Sequence, residues 1–335
     1  MKKFKNKKTN YTYIFIPILL LILSGCSSDD DDTSRGNWIV RSVFDGSPRS
    51  SATAFSIANK GYMGTGYDGD DYRKDFWEYN MDGDYWTQKA DFPGIPRSSA
   101  SSFSIGTKGY LGLGYDGDTA TELADFYEYD PAGNSWVQKN DFAGGIRREA
   151  VSFSVGDSGY IGTGFDGDND KKDFWKYDPT TDQWEEVIGY GGAKRRDATV
   201  FVINDKAYIG TGVSNGIYLS DFWQFDPAND TWTRKKDLDE EDDYSIERSN
   251  ATAFTINGLG YVSCGYNLGA TSTTWEYDPS SDNWESITNL EASIRQDPIS
   301  FSNGTRGLVL LGRSGSLYLD DAFELFPQED YDEDD

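Results

Sequence analysis

Between Ser51 and Ile57, small residues alternate with Thr53, Phe55 and Ile57, the period-two pattern of a strand. Small side chains on one side suit a crowded innermost strand beside an axis. Downstream, Gly61-Tyr62-Met63-Gly64-Thr65-Gly66 reads as a second strand whose glycines let neighbouring sheets approach closely. A third run, Asp75-Phe76-Trp77-Glu78-Tyr79, has counterparts at Asp125-Phe126-Tyr127, Asp173-Phe174-Trp175 and Asp221-Phe222-Trp223. Turn residues such as Asp178-Pro179, Asp226-Pro227 and Asp278-Pro279 end it. A fourth strand starts at Trp86, Trp136, Trp184, Trp232 or Trp284.

The unit recurs. An arginine stands six residues ahead of a phenylalanine at Arg49/Phe55, Arg97/Phe103, Arg147/Phe153, Arg195/Phe201, Arg248/Phe254 and Arg295/Phe301, every 47 to 53 residues. A repeat of that length with four strand-like runs is the signature of a β-propeller blade. The sixth unit stops after Phe323-Glu324-Leu325-Phe326 without its Trp, and Trp38-Ile39-Val40 stands 48 residues before Trp86, in phase with the repeat. The sequence therefore predicts an all-β fold: a six-bladed β-propeller of four-stranded blades over residues 37–328. Pairing the N-terminal strand into the C-terminal blade closes the ring and removes an open sheet edge.

The order and identity of these motifs resemble kelch repeats, in the family often grouped with the galactose oxidase central domain. One feature departs from that pattern: the usual adjacent Gly-Gly of the second strand appears as Gly-x-Gly, as at Gly64 and Gly66. The resemblance implies a propeller and, by family name, a copper oxidase, whose copper site needs histidine ligands. The chain contains no histidine, which removes that reading along with Ser-His-Asp and Cys-His catalysis and His-ligated zinc. No cofactor is expected.

The two ends carry other signals. Residues 1–25 read as an export signal, with Lys2, Lys3, Lys5, Lys7 and Lys8 ahead of an apolar stretch from Ile14 to Leu23. Ten helical residues would cover ~15 Å, half of a bilayer core, so a permanent span is not expected. Leu23-Ser24-Gly25-Cys26 resembles the lipobox of bacterial lipoproteins, which implies cleavage before Cys26 and its acylation. The following Ser27-Ser28-Asp29-Asp30-Asp31-Asp32 resembles the acidic export tag of Bacteroidetes-type lipoproteins, implying an outer-membrane protein that faces outward. Residues 26–36 are then an acidic tether and residues 329–335 a charged tail, both expected to be disordered. Removal of five lysines with the signal takes the formal charge from −26 to −31, which repels nucleic acid and anionic headgroups. Contact with the membrane is expected only through the lipid. Cys264 is left as a small buried hydrophobe in a monomeric propeller.

Candidate chemistry concentrates on one face. The loop entering the first strand carries Arg49, Arg97, Arg147, Arg195, Arg248 and Arg295, while the loop joining second to third strand carries Asp-Gly-Asp runs. Two readings compete for the arginines. Either they form an anion-binding funnel at the channel, or each pairs with a third-strand aspartate: Asp75, Asp125, Asp173, Asp221 or Asp321. Blade five has Thr273 instead, so Arg248, together with the doubled Arg148 and Arg196, would be freest for a ligand. Asp166, Asp168 and Asp170 have the oxygen density of a weak calcium loop, but Lys171 and Tyr177 occupy positions where an EF-hand needs glycine and glutamate. Tyr72, Tyr190, Tyr218, Tyr244 and Tyr266 are the aromatics expected at loops, and the candidates for touching a sugar or partner. The expected role is a non-catalytic binding module for an envelope protein or glycan. The alternative is a sugar-acid mutarotase or epimerase using arginines with Glu149, Asp197, Glu247 or Asp297.

Overall fold

A computed structural model describes residues 35–239 and 245–332; Cys26, the export signal and Tyr244 lie outside them. Among the described residues the long strands form six four-stranded antiparallel sheets and none of the chain is helical. The first blade runs outward as β2 (Thr53–Ile57), β3 (Lys60–Gly64), β4 (Phe76–Asn80) and β5 (Tyr85–Gln88), and the next four repeat it. The sixth blade is made of Ile299–Ser302, Gly307–Leu310, Ala322–Asp330 and, outermost, β1 (Arg35–Arg41).

That last pairing closes the circle. Trp38 lies opposite Leu325 and Val40 opposite Phe323, antiparallel. The Trp38 side chain is buried, and its indole N–H donates to the Thr288 carbonyl of blade five at 3.2 Å. Pairing reaches two residues beyond the expected limits at each end, to Arg35 and Asp330. Charged residues are tolerated there because the strand is the rim of its sheet, and Arg35 bonds Glu276 and Glu285 of blade five at 2.8 and 3.0 Å.

Blades pack through one repeated contact. The first-strand phenylalanine of each blade lies on the second strand of a neighbour: a Cβ on Gly109 would sit 2.0 Å from Phe55, and one on Gly159 would sit 2.1 Å from Phe103. A larger residue there would separate the sheets. At the axis, innermost strands are joined by hydroxyls. Ser102 donates to the Ala54 carbonyl at 2.9 Å, Ser152 to Ser102 at 2.8 Å and Ser300 to Ala253 at 2.9 Å. These bonds satisfy carbonyls that an inner sheet edge would otherwise leave open.

Candidate functional site: one mouth of the central channel

Six residues just ahead of the innermost strands share a left-handed backbone: Ser51, Ser99, Glu149, Asp197, Asn250 and Asp297, with φ between 52° and 57°. Non-glycine residues adopt this conformation rarely, and surrounding structure has to hold them in it. Here a cycle of backbone hydrogen bonds does so. Each of the six amides donates to the carbonyl of its counterpart in an adjacent blade, from Ser99 to Ser51 at 2.8 Å through to Ser51 to Asp297 at 3.2 Å. The cycle frames a cavity of about 130 Å³ floored by alanines, among them Ala52, Ala150 and Ala198. A larger cavity of about 290 Å³ lies along the innermost strands, and its lining residues include no ionisable side chain. Of these two cavities, the framed mouth is the one lined by ionisable side chains.

Three carboxyl groups face that mouth: Glu149, Asp197 and Asp297. Burial raises the Glu149 carboxyl; Arg148 and Arg196 oppose the shift, and Asp297 and Asp170 reinforce it. Burial pushes Asp197 well above the usual carboxylate range, and the neighbouring charges of Glu149 and Asp297 push the same way. Asp297 is better satisfied, accepting from Asn250 at 2.6 Å and from Gln296 and Arg313, both at 3.1 Å.

Of the arginines expected at the mouth, the two doubled ones lie beside it: neither lines the cavity, but the Nε of each is 3.4 Å from the Glu149 carboxyl. Arg148 is stacked between Tyr115 and Phe165, with its guanidinium carbon 4.7 and 5.1 Å from the ring centres. Arg196 lies over the Phe165 ring at 4.9 Å and donates to Asp170 at 2.9 Å. Cation–π contact and stacking fix both planar groups beside the carboxyls.

The six repeat arginines are elsewhere. Arg49, Arg97, Arg147, Arg195 and Arg295 are fully buried inside the blades, each paired with its third-strand aspartate. Arg49 makes a two-pronged contact with Asp75 at 2.6 and 2.8 Å and adds the carbonyls of Ser47 and Thr65. Burial works upward on Asp75, but the Arg49 hydrogen bonds and charge outweigh it and hold the carboxyl below its ordinary value. Of the two readings of these arginines, the pairing with third-strand aspartates is the one seen, in five blades, and the anion-binding funnel is not formed because each fork turns into its own blade. Arg248 is also buried and satisfied by the carbonyls of Ile246, Cys264 and Thr273, so the missing aspartate does not free it for a ligand.

The acidic loop of blade three divides its carboxylates. Asp166 accepts from the amides of Asp168 and Asn169 at 3.0 and 2.7 Å and from Lys171 at 3.0 Å. Burial alone would raise it, but those donors hold it at about 2. Asp170 is buried and turned towards Arg196 and the Asn215 amide, while Asp168 is exposed. Among the described residues no three acidic or cysteine side chains are grouped to hold a metal ion.

Of the loop tyrosines, Tyr190 lies in its loop but is buried against Phe174, Trp223 and Trp232, which removes it from the candidates for touching a sugar or partner. Tyr72 stacks on Tyr67 at 4.8 Å beside Tyr115, Tyr218 is half-buried, and Tyr266 is exposed. Glu247 bonds the Ser245 hydroxyl at 2.7 Å and is not among the residues lining the mouth. Sequence reasoning missed Tyr115, Phe165, Asp170 and Glu122 as companions of the doubled arginines. The available signal was the change from Arg-Ser-Ser in blades one and two to Arg-Arg-Glu and Arg-Arg-Asp in blades three and four.

Residues 147–312 match the family described as KLHDC2/KLHL20/DRC7 Kelch-repeats domain. No curated protein matches the chain. A solved structure titled "Structure of YjhT" aligns with a TM-score of 0.72 and 18% identity, covering 84% of this chain and 96% of that one. At that identity the likeness speaks for fold alone. Residues 147–312 thus resemble Kelch repeats, and the aligned structure and the six closed sheets agree on a β-propeller fold.

Proposed function

We propose that the protein is a non-catalytic binding module whose ligand, a glycan or a group on an envelope protein, docks at the framed channel mouth. The observation that carries this reading is Arg148, immobilised between Tyr115 and Phe165 with the Glu149 carboxyl 3.4 Å from its Nε. A donor held by aromatic faces beside an acceptor that lines a small cavity is suitable equipment for a polar-ligand site. The lipobox-like run at Cys26 and the acidic run after it support a lipid-anchored location on the outer membrane, facing outward. Thermal stabilisation by ligands from a glycan and envelope-protein panel tests the reading. Arg148→Ala and Arg196→Ala are expected to abolish it with the fold intact; a ligand shift unchanged in both variants would exclude the mouth.

A second reading has its own observation. Glu149 and Asp197, both raised by burial, hold a proton more readily than ordinary carboxylates, as proton transfer by a mutarotase or epimerase acting on a sugar acid would require. Mutarotation above background by the purified protein, lost in Glu149→Gln, would establish it over simple binding.

A further inference from the structure

The mouth is short of cations. Around it, Glu122, Glu149, Asp170, Asp197 and Asp297 are the carboxylates in ion-pair range of Arg148, Arg196 and Arg313, five acids against three bases. The arginines do not fill the acceptors nearest the cavity. Arg196 Nε is 3.4 Å from Glu149 Oε2 and 3.9 Å from Asp197, and the buried Oε2 has no hydrogen-bond partner. Nor does Arg148 Nε, which is equally buried. Both guanidiniums lie over the Phe165 ring, with Arg148 Nη1 3.4 Å from Glu122 and Arg196 Nη1 donating to Asp170 at 2.9 Å, contacts that hold them away from the cavity. Two carboxyl groups thus line a cavity with acceptor capacity unspent. Such a site wants donors and positive charge.

We infer that the channel mouth receives a primary ammonium group, as an amino sugar or a lysine side chain presents, seated over Glu149 and Asp197 beside Asp297. This rests on the mouth being the binding site proposed above. An ammonium supplies three donors from one compact centre, which fits acceptors converging on a cavity of about 130 Å³. An added anion would face carboxylates already in excess. A neutral diol supplies donors but leaves the charge imbalance in place. The raised acids agree with the assignment: burial and the neighbouring carboxyls outweigh the opposing charge of Arg148 and Arg196, so a further cation would favour the ionised forms. Arriving ammonium should therefore displace protons from the pair.

Calorimetric titration of the full chain with D-glucosamine, Nα-acetyl-lysine amide, methyl α-D-glucoside and D-glucuronate tests this. One of the two amines is expected to bind at least ten-fold more tightly than glucoside and glucuronate, with proton release visible as a buffer-dependent heat. Which amine does so identifies the source. Asp197→Asn combined with Glu149→Gln should erase both the preference and the proton release, while Asp118→Asn, in the exposed blade-two loop, should change neither. A preference that survives the double substitution is general attraction to an acidic protein and overturns the inference. Glucoside or glucuronate binding as well as the amines, with dependence on Arg148, overturns it too but leaves the mouth as a binding site. No binding by any probe, in wild type and Arg148→Ala alike, would remove both readings.

Discussion

Arg49 and Arg248 occupy one position in two blades and differ by a single counter-ion. Arg49 meets Asp75 with two nitrogens; Arg248 meets Thr273 and is held by carbonyls alone. Burial without a carboxylate pulls the Arg248 guanidinium down to about 10. Thr273→Asp should restore the pair found in the other five blades and stabilise the fold by about 1–3 kcal/mol, the usual worth of a charged hydrogen bond. Urea unfolding reads the change, and a loss of stability would mean that the site cannot accept the carboxylate. The converse substitution, Arg97→Ala, leaves Asp125 without its partner and strips donors from the Ile95 and Leu113 carbonyls. Breaking such a pair from one side costs about 3–5 kcal/mol, far more than its net worth when intact. These arginines are therefore expected to answer to unfolding assays and not to ligand titrations.

At the scale of the element, β1 is the strand most exposed to test. It is separated from its partner by almost the whole chain and brings one large buried side chain, Trp38, against Phe254 and the Thr288 carbonyl of the next blade. Trp38→Ala should cost about 3–5 kcal/mol, the range for truncating a buried aromatic. A cost below 1 kcal/mol would mean that ring closure does not depend on this side chain. The strand was legible in the sequence because Trp38 is in phase with the other outer-strand tryptophans, and period-two alternation exposed the innermost strands in the same way. The direction of an arginine is different in kind. The spacing from Arg97 to Phe103 fixes which loop carries the guanidinium, and the recurring third-strand aspartate offered the inward pairing as one of two readings, but the choice between axis and blade depends on backbone angles that the spacing does not encode. The left-handed ring was hidden for the same reason: Ser51, Glu149 and Asn250 have little in common as residue types, yet share one backbone conformation.

For the molecule as a whole, pH sets two opposing groups of carboxyls against each other. The aspartates paired inside the blades, Asp75, Asp173 and Asp221, are half-buried yet held below their ordinary value by Arg49, Arg147 and Arg195. Their stabilising share is present above the unfolded carboxylate value of about 3.9 and is lost as pH falls through the lower folded values. Glu149 and Asp197 behave in the opposite sense. Burial raises both, so their share is complete below the unfolded values and disappears as pH rises through the folded ones. Stability should therefore decline on both sides of a mildly acidic optimum, with the alkaline limb originating at the channel mouth. Asp197→Asn keeps the shape of the side chain and removes its charge, so the variant should gain on wild type as pH rises above the unfolded carboxylate value of about 3.9. Denaturant unfolding across that range gives the comparison, and parallel pH profiles for the two proteins would show that the mouth carboxyls carry no strain of charge.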